Sequence, residues 1–145
     1  MTISFRKTRA VCKLKAKMIF NNRSVLLGPI MSIGFVVLYK NVMHLDELDA
    51  SFATGFYLNM GVLFNTLMTG LMAASLPLAE DKEKHTLRVL MTSSINSVEF
   101  FIGSLLPVFV LTEVVNMIML PISGATGVSV LVYFLVTSIS VFITM

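Results

Sequence analysis

The chain has 145 residues, of which 56% are hydrophobic and only 13% are charged, with a formal net charge of +3. A soluble globular domain carries about 25% charged residues, and a domain of this size needs a hydrated surface. The charges also cluster at 6–23, 40–49 and 80–88, and long uncharged tracts separate these clusters. Composition therefore excludes an ordinary soluble domain and predicts that lipid surrounds most of the side chains.

The rest of the composition excludes several kinds of site. The single cysteine, Cys12, rules out an internal disulfide and a multi-cysteine metal site. The sequence contains no phosphate-binding loop, serine-hydrolase elbow or zinc-protease motif, so we predict no catalytic residue, no metal site and no cofactor. Most basic residues precede the first apolar tract and form no aromatic-rich patch, which argues against nucleic acid as a partner.

Residues 1–23 form the first unit. Basic and apolar residues alternate there at helical spacing, and Val11, Leu14 and Met18 share one face. This pattern predicts a basic amphipathic helix in the membrane interface, with its apolar stripe in lipid and its lysines toward anionic headgroups. A solvated basic tail is the alternative.

Residues 24–145 form the predicted transmembrane domain, which contains four apolar tracts. The tracts cover about 24–40, 53–79, 100–120 and 128–145. Pro29 is expected to kink the first tract or mark its first turn, and Pro107 to interrupt the third. The predicted fold is an all-α polytopic membrane helix bundle, with about four spans preceded by the amphipathic interfacial helix. Because the chain ends inside an apolar run, we expect it to be a piece of a longer protein.

Basic residues in the short loops predict the orientation of the chain. Seven precede the first span, three lie in the loop 80–98, and one follows the first span. In that order they are Arg6, Lys7, Arg9, Lys13, Lys15, Lys17 and Arg23, then Lys82, Lys84 and Arg88, then Lys40. Since cytosolic loops hold the excess of Lys and Arg, we expect a multi-pass protein of the cytoplasmic membrane. Its amino terminus and the loop 80–98 are then cytosolic.

Polar side chains within the spans are candidates for a translocation path. Asn59 and Asn65 lie in the second tract, and Glu113 and Asn116 lie in the third. Amides hydrogen-bond between helices in lipid, and intramembrane acids usually face a bundle interior or a wet cavity. For Glu113 the alternative is a place near the outer interface, where it is neutral or hydrogen-bonded to Asn116 or Thr112.

The loop 80–98 carries a short amphipathic stretch. Glu80 and Lys84 stand four residues apart, which supports a helical turn, and Leu87, Leu90 and Met91 form a compact apolar face. Such a helix at the cytosolic surface either lies in the groove of a partner or folds back on its own bundle. Spacing alone does not separate these two interpretations.

The stretch from Glu83 to Ser94, with the residues that follow it, resembles the permeases of type-2 ABC exporters. The second and third spans of that family are joined by approximately E-(K/R)-G-T-L-E-x-L-L-x-(T/S)-(S/P), followed by an acidic residue and G-K-x-L-P. The matching residues are Glu83, Thr86, Leu87, Leu90, Glu99, Gly103 and Pro107. The basic helix before a short, proline-containing first span also fits, so the resemblance extends from about Lys7 to Pro107.

Three positions depart from the family pattern. His85 stands where glycine is usual, Arg88 where glutamate is frequent, and Ser104 where lysine is common. Histidine has less backbone freedom than glycine, so His85 stiffens the turn. Arg88 reverses the charge of a side chain that would face the partner ATPase. These departures bear on which ATPase is the partner.

The resemblance implies a function and partners. The chain would be a membrane-spanning permease subunit, not an enzyme, and would couple a separate ABC ATPase to substrate translocation. A second permease copy or a homologous permease would complete the transporter in the lipid bilayer. The residues implied in contact with the ATPase are Glu80, Glu83, Lys84, His85, Thr86, Leu87 and Leu90. Permeases of the family usually have six spans, so four spans imply a partial chain.

Two other functions remain open. One is a stand-alone small membrane transporter driven by protons, which needs an ionisable group central to its pathway, commonly early in the chain. The first span has no such group, and Glu113 comes late. The other is a membrane protein of the bacteriocin-immunity type, which binds its target in the bilayer.

Overall fold

The structure, a computed structural model, describes residues 4–42, 50–75, 79, 96–125 and 127–145. These residues form five helices and no strand, which confirms the all-α prediction. The helices are α1 (Phe5–Asn21), α2 (Arg23–Val42), α3 (Ala50–Asn65, continued through a π-helical turn at Thr66–Gly70 to Ser75), α4 (Ser97–Ser123) and α5 (Val130–Thr144). Within the loop 80–98, residues 80–95 lie outside the described residues.

Three of the helices are long and apolar enough to cross a membrane. Their apolar stretches are Arg23–Val42 in α2 with 20 residues, Ser51–Ser75 in α3 with 25 residues and Val98–Ser123 in α4 with 26 residues. The tract predicted at 128–145 forms α5, whose 15 residues reach about 22 Å at 1.5 Å per residue. That length is shorter than a hydrocarbon core of about 30 Å. The chain is therefore a multi-pass membrane protein with three long spans and one shorter apolar helix.

The outward face of α4 supports this environment. Ile102, Leu106, Val110, Val114 and Ile118 recur every four residues, and each leaves 44–50% of its surface exposed. A stripe of this kind would be an apolar patch in water, whereas in a bilayer it is the ordinary lipid-facing surface. The interior of the bundle instead holds many polar side chains, which is the inverse of a soluble core.

The prolines of α4 lie inside the helix. The sequence predicted an interruption at Pro107, and this expectation is wrong because α4 continues through Pro107 and then through Pro121. A proline has no N–H group, so the backbone carbonyl one turn earlier loses its donor. In membrane helices, neighbouring helices and side chains satisfy such backbone groups. Gly124 ends α4 with a φ of 82°, the left-handed conformation that favours glycine at this position. Pro29 likewise lies inside α2 and is buried.

Helix α1 packs closely on α4. Its buried residues, Val11, Lys15 and Ile19, are spaced four apart and form one stripe. The structure differs here from the stripe expected at Val11, Leu14 and Met18, since Val11 is buried while Leu14 is 55% exposed. The reason is that α1 turns Val11 and Ile19 toward α4, where Val11 meets Gly103 and Ile19 packs in a cluster with Val108. A Cβ on Gly103 of α4 would lie 2.9 Å from the Val11 Cβ atom, so only glycine allows this approach.

Candidate functional site

A network of buried polar side chains joins α3, α4 and α5 inside the bundle. Its centre is the pair Asn65 and Asn116, both without exposed surface. The Nδ2 group of Asn65 donates to Asn116 Oδ1 at 2.8 Å and to the backbone oxygen of Thr112 at 3.0 Å. Since lipid offers no water to replace these bonds, they hold α3 against α4.

The orientation of both amides follows from their neighbours. Thr69 Oγ1 donates to Asn65 Oδ1 at 2.6 Å, which fixes the oxygen of Asn65 toward α3 and its amide nitrogen toward α4. On the other side, the Tyr133 hydroxyl of α5 donates to the backbone oxygen of Asn116 at 3.0 Å. The three helices are therefore joined by one continuous chain of hydrogen bonds.

The π-helical turn of α3 lies at this network. Thr66, Thr69 and Gly70 are buried within it, and the network begins at Asn65, immediately before the turn. Helix α2 approaches the same place, because a Cβ on Gly28 would lie 3.2 Å from the Cα atom of Thr69. A wider turn exposes backbone groups to new partners and is frequent at functional sites. It is the local irregularity that accompanies the polar pair.

Glu113 is the acid of this network. Only 4% of its surface is exposed, and its Oε2 atom accepts a hydrogen bond of 2.9 Å from Thr137 Oγ1 of α5. It lies ten residues before the end of α4 at Ser123, which is about 15 Å along the helix axis.

Two polar atoms beside each other on α4 have no hydrogen-bond partner among the described residues. They are Glu113 Oε1 and Asn116 Nδ2, both buried. The Asn116 amide lies one helical turn after Glu113 and close to its carboxyl group, without the distance and angle of a hydrogen bond. Both atoms are enclosed within the bundle.

A groove of about 540 Å³ runs along α4 and α5 next to this acid. Glu113 lines it together with apolar residues that include Phe109, Val110 and Phe134. Val110 is half exposed, so the groove opens toward the surface that faces lipid. The surface of the groove is almost wholly apolar, because the Glu113 carboxyl group is buried beside it.

A second polar junction lies at the beginning of α4. Glu99 is buried; its Oε1 atom accepts the backbone N–H of Ser4 at 2.6 Å, and its Oε2 atom accepts the N–H of Asn96 at 3.2 Å. Lys15 of α1 is also buried, and its Nζ atom lies 5.5 Å from the centre of the Phe100 ring. Glu99 therefore begins α4 and anchors α1 at the same time.

The predicted site residues have different outcomes. The ATPase-contact residues Glu80, Glu83, Lys84, His85, Thr86, Leu87 and Leu90 all lie outside the described residues. Of the path candidates, Asn65, Glu113 and Asn116 come together in the network. Asn59 is exposed on α3 and has no hydrogen bond to these three residues.

Sequence reasoning missed two partners of these residues. Tyr133 and Thr137 of α5 each donate to the network, and neither of them was singled out. Tyr133 and Thr137 stand four apart on α5, which is a sign of one polar face in an otherwise apolar helix. That spacing identifies the face, but not the helix it contacts.

Comparisons of the chain with protein-family models, with curated proteins and with solved structures find no match.

Proposed function

We propose that this chain is the membrane-spanning permease subunit of an ABC-2 type exporter, which couples a separate ATPase to movement of a substrate through the bilayer. One observation carries the proposal. Glu99 and Gly103, two residues of the family-like motif, both lie at the contact between α1 and α4. A coupling element requires a tight helix junction next to the loop 80–98, and these motif residues form one.

The coupling step follows from this junction. The loop leads directly into Asn96 and Glu99, and Glu99 also holds Ser4 at the start of α1. A rigid-body push on the loop by a closing ATPase would therefore move α1 and α4 together. The bonds from Asn116 to α3 and α5 would pass this movement into the interior of the bundle. In this proposal the amino terminus and the loop are cytosolic.

The test removes the apolar face of the loop. We expect Leu87→Asp with Leu90→Asp to abolish co-purification with the partner ABC ATPase, and to stop transport. Each leucine contributes up to about 1.5–3 kcal/mol when fully buried in a partner. Membrane insertion should persist, because both leucines lie outside the four apolar tracts of the sequence.

The matched control changes two acids in the loop after the first span, Glu47→Ala with Asp49→Ala, which should affect neither co-purification nor transport. If the leucine variant still binds its ATPase and still stimulates ATP hydrolysis, the loop is only a connector.

Glu113 favours a second candidate, a stand-alone transporter driven by protons. A buried acid in the middle of a span is the group that such a mechanism needs. The two functions differ in energy source. Transport by the purified chain in proteoliposomes that persists without an ATPase, and stops on addition of a proton uncoupler, would establish the second function. Transport that requires ATP and the ATPase would establish the first.

A further inference from the structure

One polar side chain in the middle of a span faces lipid. Among the described residues of α2 to α5, exposed polar side chains lie in the first or last turn of a helix, with the single exception of Asn59. Its amide group forms no hydrogen bond with the part of the chain that the structure describes. Asn59 lies eight residues after Ser51, where the apolar stretch of α3 begins, which is about 12 Å along the helix axis. An asparagine side chain is too short to reach the interface from this depth, and an unpaired amide in hydrocarbon is costly.

The face of α3 around Asn59 is open to another helix. Phe52, Gly55 and Leu63 share this face, because they are spaced three or four residues apart along the helix. Phe52 and Leu63 leave 60% and 52% of their surfaces exposed. A Cβ added to Gly55 would meet nothing within 4 Å, so the helix surface one turn before Asn59 is open. In membranes a small residue lets a second helix approach closely, and an amide bonds across such a contact.

The chemistry of the amide indicates which helix covers this face. An amide has both a donor and an acceptor, so two asparagines related by a twofold axis can each donate to the other. A second copy of α3 thus supplies at Asn59 the hydrogen bonds that lipid does not supply. The face contains no charged residue and offers no ion pair to a charged partner.

We propose that this face of α3, formed by Phe52, Gly55, Asn59 and Leu63, is the contact with a second copy of the chain. Both copies have the same orientation in the membrane, so the twofold axis is parallel to the membrane normal. The two α3 helices cross near Gly55, and the two Asn59 amides bond to each other. This contact does not depend on coupling to an ATPase, so it can fail while the proposed function stands.

Cysteine cross-linking in native membranes tests the contact. In the full chain with Cys12→Ser, Leu63→Cys places a thiol one turn after Asn59 on the proposed face. Val110→Cys places one on the lipid-facing side of α4, where Val110 is 50% exposed. We expect covalent dimers from Leu63→Cys and none from Val110→Cys. Addition of Asn59→Leu should remove most of the dimer, whereas Asn59→Gln, which keeps an amide, should retain it.

Energy transfer between labelled copies in liposomes measures the affinity. Asn59→Leu removes a bond from each copy and should weaken association by about tenfold or more. Gly55→Leu should also weaken it by blocking the close approach, whereas Gly34→Leu, at an equally open glycine of α2, should not.

Three outcomes would overturn the proposal. The first is a wild-type chain that is monomeric in liposomes, or that associates no more tightly than Asn59→Leu. The second is equal cross-linking of Leu63→Cys and Val110→Cys, which would remove the location. The third is cross-linking of Leu63→Cys to a different protein instead of a second copy, which would show that another partner covers the face.

Discussion

The carboxylate of Glu99 accepts a hydrogen bond of 2.6 Å from the backbone N–H of Ser4, across 95 positions of sequence. The same side chain accepts the N–H of Asn96 and so satisfies a free donor at the beginning of α4. One carboxylate thus fixes where two helices begin. The start of α1 cannot move from the start of α4 without loss of this bond.

We expect Glu99→Gln to release the beginning of α1. Glutamine keeps the length of the side chain but loses the charge that strengthens both bonds. Helix α1 contains six basic residues, so trypsin reports its opening directly. Tryptic cleavage within α1 should become several-fold faster in the purified protein, because proteolysis follows the population of the open form. Glu113→Gln serves as the control and should leave this rate unchanged; if both variants are cleaved like wild type, Glu99 does not anchor α1.

Two glycines allow a matched test of the α1–α4 contact. A Cβ on Gly103 would lie 2.9 Å from Val11, whereas a Cβ on Gly34 of α2 would meet nothing within 4 Å. We expect Gly103→Ala to destabilise the fold by about 1–3 kcal/mol through overpacking. Gly34→Ala should be neutral or stabilise it by up to about 1 kcal/mol, since alanine favours the helix. Thermal unfolding in detergent measures both, and equal melting temperatures would contradict the close contact.

The asparagines of α3 allow a second matched comparison. Asn65→Leu removes bonds to Thr112 and Asn116 and leaves Thr69 without its acceptor. We expect a loss of about 0.6–2 kcal/mol, the usual range for such bonds in membranes. Asn59→Leu, at an exposed position of the same helix, should be nearly neutral. Unfolding in mixed micelles measures both changes; a double-mutant cycle with Asn116 that gives no coupling would contradict the network.

The proposed orientation is tested by cysteine labelling after Cys12 is replaced. Because basic residues favour the cytosol, an impermeant reagent should label Glu47→Cys in intact cells. It should label Ser93→Cys only after the membrane is permeabilised. The reverse pattern would invert the chain, and labelling of both positions from outside would contradict the single crossing by α3 between them.

Sequence patterns predicted those parts of the fold that depend on hydropathy alone. The long apolar runs gave α2, α3 and α4 within a few residues, because exclusion of water from lipid decides which segments become helical there. Pro107 was misjudged, since its effect depends on the neighbouring helices. The stripe of α1 was misjudged for a similar reason: burial of Lys15 depends on the contact with α4, and no periodicity indicates it.

The site was predicted in part. Asn65, Glu113 and Asn116 were recognisable because polar residues are rare and costly in spans. Their partner Thr137 was not, since threonine is common in membrane helices and also bonds to its own backbone, as Thr137 does to Tyr133. Which polar groups meet is decided by the rotation of each helix about its axis. The amino-acid composition of a helix does not determine that rotation.

The π-helical turn at Thr66–Gly70 has a consequence for the phase of α3. Its i→i+5 bonds include one residue more than an α-turn, which is a rotation of about 100° in α-helical terms. The positions after the turn, such as the buried Ala73, are therefore out of phase with the positions before Asn65. A single-residue deletion inside the turn would bring the two halves back into phase and turn one of them away from its present neighbours. The same deletion in the segment between α4 and α5 would only shorten a connection.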